Sequence, residues 1–352
     1  MQLFADDNKV LELERQLEAA HPLRPLPTVL ALAWHLRQRN PPRALALADE
    51  IARLLTILDA ADAVHSSIAS RAQLVRAEVA WMHGQLEFAK ACLAQAHAQF
   101  AALGDSAGLG DTQWMRAYVA ADLGDTRDWM DQAEHPVAAY AASQDALRLQ
   151  MGMARKVAVY AFVDTARAQA LLDTHGLRSP GNCAPAAGVW VDYALGVLAQ
   201  SSSDLILATQ HYERTYAAGL KTGQIRLAAL AAGNLSSSLV ELNNLTLTLA
   251  LDWAERGLAL AQSAGLPCAP TAVLRWPMAQ RLRPPSWPSY AKRNPAGREE
   301  PGARTLVGHR PANRPAQPPT AGPGTGVRPG ALLAQALPDV HHHAGCGPLQ
   351  DH

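Results

Sequence analysis

Over the first three quarters of the chain, apolar residues recur every three or four positions, the period of a helix with one buried face. The run from Ser67, SIASRAQLVRAEVAWMHG, puts Ile68, Leu74, Val75, Val79 and Met82 on one stripe. Gly84 breaks it, and Leu86, Ala89, Leu93, Ala96 and Phe100 form the stripe of a second helix, which Gly104-Asp105 ends in a glycine C-cap position. Alternation with period two is nowhere sustained, so strands are not predicted. A single helical hairpin cannot bury both apolar faces and invites a neighbour. Comparable starts fall near Thr28, Ser67, Leu109, Ala146, Ala187 and Ile225, at intervals of roughly 40 residues, a helical-repeat spacing. Turn signals recur between them at Asn40-Pro41-Pro42, His83-Gly84-Gln85, Leu123-Gly124-Asp125, Ser201-Ser202-Ser203 and Asn243-Asn244. The pattern predicts an all-α fold: an α-solenoid of about six antiparallel helix pairs. After Gly176 the segment LRSPGNCAPAAG reads as an inter-repeat loop, the alternative being a hinge between two solenoid halves, with Pro180, Gly181 and Pro185 excluding helix.

The helical pattern stops after Gln262-Ser263-Ala264-Gly265, and composition changes there too. Residues 1–266 carry 21 Lys and Arg against 27 Asp and Glu, whereas residues 267–352 carry 10 against 4. The formal net charge of zero is thus a cancellation between an acidic array and a basic tail. The tail, residues 267–352, also holds 16 of the chain's 24 prolines, and proline plus glycine make 25 of its 86 residues. Such a Pro/Arg/Gly-rich segment is expected to be disordered. A shifted reading frame in a GC-rich gene produces the same mixture, so a frame-shift origin stands beside a native one.

Aromatics are only 5% of the chain, and alanine and leucine dominate, which suits close helix–helix packing. The start, MQLFADDNKV, lacks the basic and apolar regions of a secretory signal, and no stretch approaches eighteen uninterrupted apolar residues. Cys92, Cys183, Cys268 and Cys346 lie far apart and read as reduced thiols. These features predict a cytoplasmic protein without a membrane contact.

Motifs of catalysis are missing from the sequence: no phosphate loop, nucleophile elbow, Gly-x-Gly-x-x-Gly or His-Glu-x-x-His segment occurs. Glu78, Glu87, Asp122, Asp125, Asp128 and Asp131 read as solvated helix-surface acids rather than paired catalytic carboxylates. His341-His342-His343 with Cys346 resembles a metal-ligand cluster but lacks a folded frame, so no metal or other cofactor is predicted. Pro315-Ala316-Gln317-Pro318 fits a polyproline ligand only by composition, and the tail's scattered basic residues predict no nucleic-acid partner. Trp34, Trp81, Trp114, Trp190 and Trp253 fall at helical positions as buried anchors.

Two units resemble the tetratricopeptide repeat. Counting from Gly84 as turn glycine, Ala77, Ala89 and Ala96 occupy its small positions, and Asn234-Leu235-Ser236 followed by Leu239 is similar to its Asn-Leu-Gly triplet. The large aromatic of the first helix and the closing proline are mostly absent. The resemblance covers residues 28–264 and implies a concave face, lined by first helices, that binds a protein or peptide. It places Asn234 in that groove, with Gln73, Arg76, Gln113 and Arg116 on similar faces. A looser likeness joins HPLRPLPTVLALAWHLRQRNPPRALALADE and LDWAERGLALAQSAGLP to the sensor half of bacterial diguanylate cyclases. Their Gly-Gly-Asp/Glu-Glu-Phe signature is absent from this sequence, so that likeness implies a regulatory part without the catalytic domain. The expected function is a non-enzymatic binding scaffold; the alternative is a truncated signalling sensor.

Overall fold

The structure is a computed structural model that describes residues 2–20, 25–58, 62–123, 129–242 and 246–264. The tail from residue 267, with its His341–Cys346 cluster, proline-rich run and Cys268, lies outside the described residues, as do Gly124, Asp125, Asp128 and Asn243-Asn244.

Among the described residues there are thirteen α-helices, one short 3-10 turn and no strand. They are α1 (Asp7–Ala19), α2 (Leu26–Leu36), α3 (Pro41–Leu58), α4 (Ala63–Met82), α5 (Leu86–Leu103), α6 (Ser106–Asp122) and α7 (Trp129–Ser143). The remainder are α8 (Ala146–Ala161), α9 (Thr165–Thr174), α10 (Pro185–Ser201), α11 (Leu205–Thr222), α12 (Ile225–Leu242) and α13 (Leu247–Ser263). The six predicted pair starts coincide with the starts of α2, α4, α6, α8, α10 and α12 to within four residues. Successive helices pack side by side, and α2 also meets α4, α4 meets α6, and α8 meets α10. Helix α1 has no counterpart among the predicted pairs. It is largely polar and buries only Leu13 and Leu17, too weak a stripe to read.

Aspartates set many of the helix starts. Asp6, Asp62, Asp105, Asp145, Asp164 and Asp204 each accept the amide three residues on, at 2.8–3.1 Å. Each such cap satisfies one orphan donor of the first turn and contributes about 1 kcal/mol. Two prolines, one in a predicted turn and one in a predicted loop, begin helices. Pro41 opens α3 behind Asn40, whose Oδ1 accepts the Arg43 amide at 3.2 Å, and Pro185 opens α10. The first turn leaves its amides unpaired anyway, so proline costs nothing there. The loop before α10 contains a 3-10 turn, Pro180–Asn182. Pro136 lies inside α7, where it lacks the amide that would bond one turn back.

One continuous apolar core runs from Leu3 to Ala264. Ala77, Ala89 and Ala96 are fully buried, so the small positions lie where helices cross. Elsewhere, glycine on a first helix receives a ring from its neighbour. A Cβ on Gly108 would stand 2.5 and 2.6 Å from Cγ and Cε1 of Phe100, and one on Gly196 would stand 2.8 Å from Cε1 of Tyr212. Phe100 and Tyr212 are fully buried against those bare backbones.

Candidate functional site

First helices converge on an interior cavity of about 60 Å³. Seven of its lining side chains are aromatic, a concentration far above the 5% of the whole chain. α2 brings Trp34, α4 Trp81, α6 Trp114 and Tyr118, and α10 Trp190; Tyr140 of α7 and Phe4 complete the set. Trp81 stacks on Tyr118 with ring centroids 5.0 Å apart, Trp114 meets Trp190 edge-on at 4.8 Å, and Trp190 continues to Tyr193 at 6.0 Å. These separations are favourable for aromatic pairs, each contributing about 0.5–1.5 kcal/mol beyond its buried area.

Charged groups in and behind the wall divide into paired and unpaired sets. Arg37, buried, donates through Nε to Glu78 Oε2 at 2.6 Å, and Gln38 Nε2 donates to Glu78 Oε1 at 2.5 Å. Arg148 grips both oxygens of Asp111 at 2.9 Å, and Tyr140 Oη donates to the same carboxylate at 3.1 Å. Both lining carboxylates are therefore neutralised by arginine. Arg226, by contrast, places its guanidinium carbon 4.1 Å from the Trp81 ring centroid and 4.2 Å from that of Tyr118. Arg155 lies behind the wall, 4.6 Å from Tyr118 and 4.9 Å from Trp114. Neither arginine pairs with a carboxylate among the described residues. Burial above all weakens Arg155's hold on its proton, opposed by Tyr118 and Tyr140, with a smaller lowering from the Arg226 charge. Arg155 Nη1, Trp190 Nε1 and Gln224 Oε1 are buried polar atoms without a hydrogen-bond partner.

The cavity also joins distant parts of the chain. Gln38, just after α2, accepts the Arg226 amide of α12 at 3.1 Å, across 188 positions of sequence. Beside that contact Gly223 ends α11 at φ 74°, and a Cβ there would collide with the Arg39 guanidinium. The positive φ favours glycine at this position, and an added Cβ would displace the Arg39 guanidinium.

The five residues expected in a groove are not gathered into one. Asn234 is buried, and its Nδ2 donates to Tyr193 Oη at 3.4 Å. Arg76 bridges to α3 through Ala48 O at 3.1 Å and Asp49 Oδ1 at 2.8 Å. Gln73 and Gln113 are half-buried, the latter with an unpartnered Oε1, and Arg116 is exposed on α6. Glu78 also departs from its expected solvated face, because Arg37 and Gln38 draw it into the core. Glu87 and Asp131 are exposed as expected, while Asp122 accepts the Trp81 indole N–H at 2.6 Å.

Of the five tryptophans, Trp34, Trp81, Trp190 and Trp253 are buried and Trp114 half-buried. Four of them line the cavity, a role their helical positions alone did not distinguish from anchoring. Arg155 and Arg226 carry no sequence signal, since neither belongs to a recognisable motif. A second polar cluster links α10 and α11, where Asp192 Oδ1 lies 2.9 Å from His211 Nδ1 and 3.0 Å from Arg214 Nε.

Comparison with family models, with curated proteins and with solved structures gives no match for this chain. Among the described residues no helix is long and apolar enough to cross a membrane, and no group of three His, Cys, Asp or Glu side chains is placed to hold a metal ion.

Proposed function

We propose that the chain is a non-enzymatic binding module: a tetratricopeptide-like α-solenoid of six antiparallel helix pairs that receives its ligand on the inner face. The observation that carries this reading is the interior cavity, where aromatic rings, an unpaired guanidinium and unpartnered buried donors and acceptors converge. Burying polar groups without partners costs free energy that a ligand would recover. Turnover is disfavoured by the same geometry, because general acid–base catalysis needs a group free to exchange a proton, and both lining carboxylates are held by arginine. A protein or peptide, the partner class that the repeat resemblance implies, would engage such a face through a short segment or an end.

A second reading, the regulatory part of a signalling protein, is favoured by the bond between Gln38 and Arg226. A ligand beside Arg226 bears on the first and last helix pairs at once, so occupancy can be read at both ends of the array.

The test is a thermal-denaturation screen of the full chain against neutral, anionic and cationic small molecules and short peptides, followed by tryptophan emission. A ligand at one hundred times its Kd stabilises by about 2.7 kcal/mol, a rise in Tm of about 5–10 °C for a domain of this size. Hits should shift the emission of the cavity indoles and lose both effects when Met115→Trp fills the space. If no compound of any class moves either signal, the module reading fails.

A further inference from the structure

Taken together, the charges, walls and size of the cavity specify a ligand more narrowly than binding in general. Arg37 and Arg148 are compensated by Glu78 and Asp111, so the surplus positive charge belongs to Arg226 on the wall and Arg155 behind it. Arg155 is buried and Arg226 half-buried, and a surplus of cations in such surroundings is unfavourable until an anion arrives. Arg226 presents a planar fork of N–H donors, the geometry that matches a carboxylate in bidentate fashion. Apart from the mutually paired Arg37, Gln38, Glu78, Asp111 and Arg148, and from Gln224, the remaining wall is apolar and aromatic, so it rewards a hydrocarbon body more than a bare inorganic ion. Trp190, whose indole N–H has no partner, and Gln224, whose Oε1 has none, stand on the same wall as a spare donor and a spare acceptor. A volume of about 60 Å³ holds a few waters and is smaller than the roughly 150 Å³ cavity that takes benzene, so the ligand is a small organic molecule.

We propose that this cavity is a binding site for a small organic monocarboxylate, its carboxylate on Arg226 and its hydrocarbon body against Trp81, Trp114 and Trp190. This rests on the binding-module reading and adds the ligand's chemical class. Because the Arg226 amide is bonded to Gln38, the bound acid fastens the last helix pair to the first.

The probes are isobutyrate, its uncharged isostere isobutyramide, and inorganic phosphate, each titrated against the full chain by tryptophan fluorescence and ligand-observed NMR. Isobutyrate should bind at least tenfold more tightly than either of the others. Arg226→Gln should reduce that preference to within about threefold, while Arg53→Gln, on an exposed position of α3, leaves it unchanged. Equal binding of amide and acid overturns the carboxylate assignment, and phosphate competing as well as isobutyrate overturns the organic body. Isobutyrate binding retained in Arg226→Gln overturns the role of that residue. Should Arg226→Gln not fold, the acid-to-amide ratio of the wild-type chain and its decline with salt decide the matter, a salt-independent ratio counting against the proposal. Neutral hits in the broader screen together with silence from isobutyrate would sink this proposal and leave the module reading standing.

Discussion

Replacing Gly108 with alanine tests how tightly the helix pairs are fitted. The added methyl carbon would stand 2.5 and 2.6 Å from Cγ and Cε1 of Phe100, whereas carbon atoms in ordinary contact are about 3.5–4.0 Å apart. The ring must therefore retreat by about 1 Å. It has no free side to move to, being fully buried between α5 and α6 with the Arg71 guanidinium carbon 5.3 Å from its centroid. Overpacking a fitted core costs about 1–3 kcal/mol, and a clash with several ring atoms at once belongs at the upper end. Alanine's better helix propensity returns less than about 1 kcal/mol, because Gly108 lies in the first turn of α6. The net expectation is a loss of about 2 kcal/mol, or a Tm lower by about 4–8 °C for an array of this length. Urea unfolding followed by far-ultraviolet circular dichroism should show a lower midpoint with an unchanged slope. Phe100→Leu in the same chain removes the clash, so the double variant should be more stable than the sum of the singles by at least about 1 kcal/mol. A Gly108→Ala chain as stable as wild type, or strict additivity in the double variant, would refute the packing argument.

Two further expectations concern the polar interior. Glu78→Ala leaves the buried guanidinium of Arg37 without its carboxylate and should cost about 3–5 kcal/mol in urea unfolding; Arg37→Met with Glu78→Leu should recover most of it, and a loss below about 1 kcal/mol for the single variant contradicts the reading. His35 is held neutral by burial first and then by Arg37 and Arg39, its pKa lowered from 6.5 to about 3. The unfolded chain then takes up a proton below about pH 6.5 that the folded chain refuses, so stability falls as pH drops from there toward 3, by up to about 1.4 kcal/mol per pH unit. His35→Leu should flatten that slope in urea midpoints measured at about pH 7, 6 and 5; an unchanged slope would assign the acid sensitivity to other groups.

Much of the helical plan was legible because it depends on local rules. The stripe Ile68, Leu74, Val75, Val79 and Met82 is buried as its spacing predicts, and Gly84 and Gly104 take the left-handed conformation at φ 75° and 66°. The misreadings are also local in origin. Pro185 lies in a segment that reads as loop, although a helix start tolerates proline. The short polar helix α1 buries too few side chains to leave a periodic signal.

What the sequence determined by itself was therefore the helical class, the period of the pairs and the small residues at their crossings, since hydrophobic periodicity and turn chemistry act over a few residues. Only the tertiary structure decided what the inner face holds. The contact between Gln38 and Arg226, the burial of Glu78 and Asn234, and the meeting of Trp81, Tyr118 and Arg155 each join residues about 40 or more positions apart. Except for Gln38 and Arg226 their spacing is that of successive helix pairs, but which side chains meet follows from how closely the stacked helices approach across the interior, a distance set by the sum of all the packing contacts along the array.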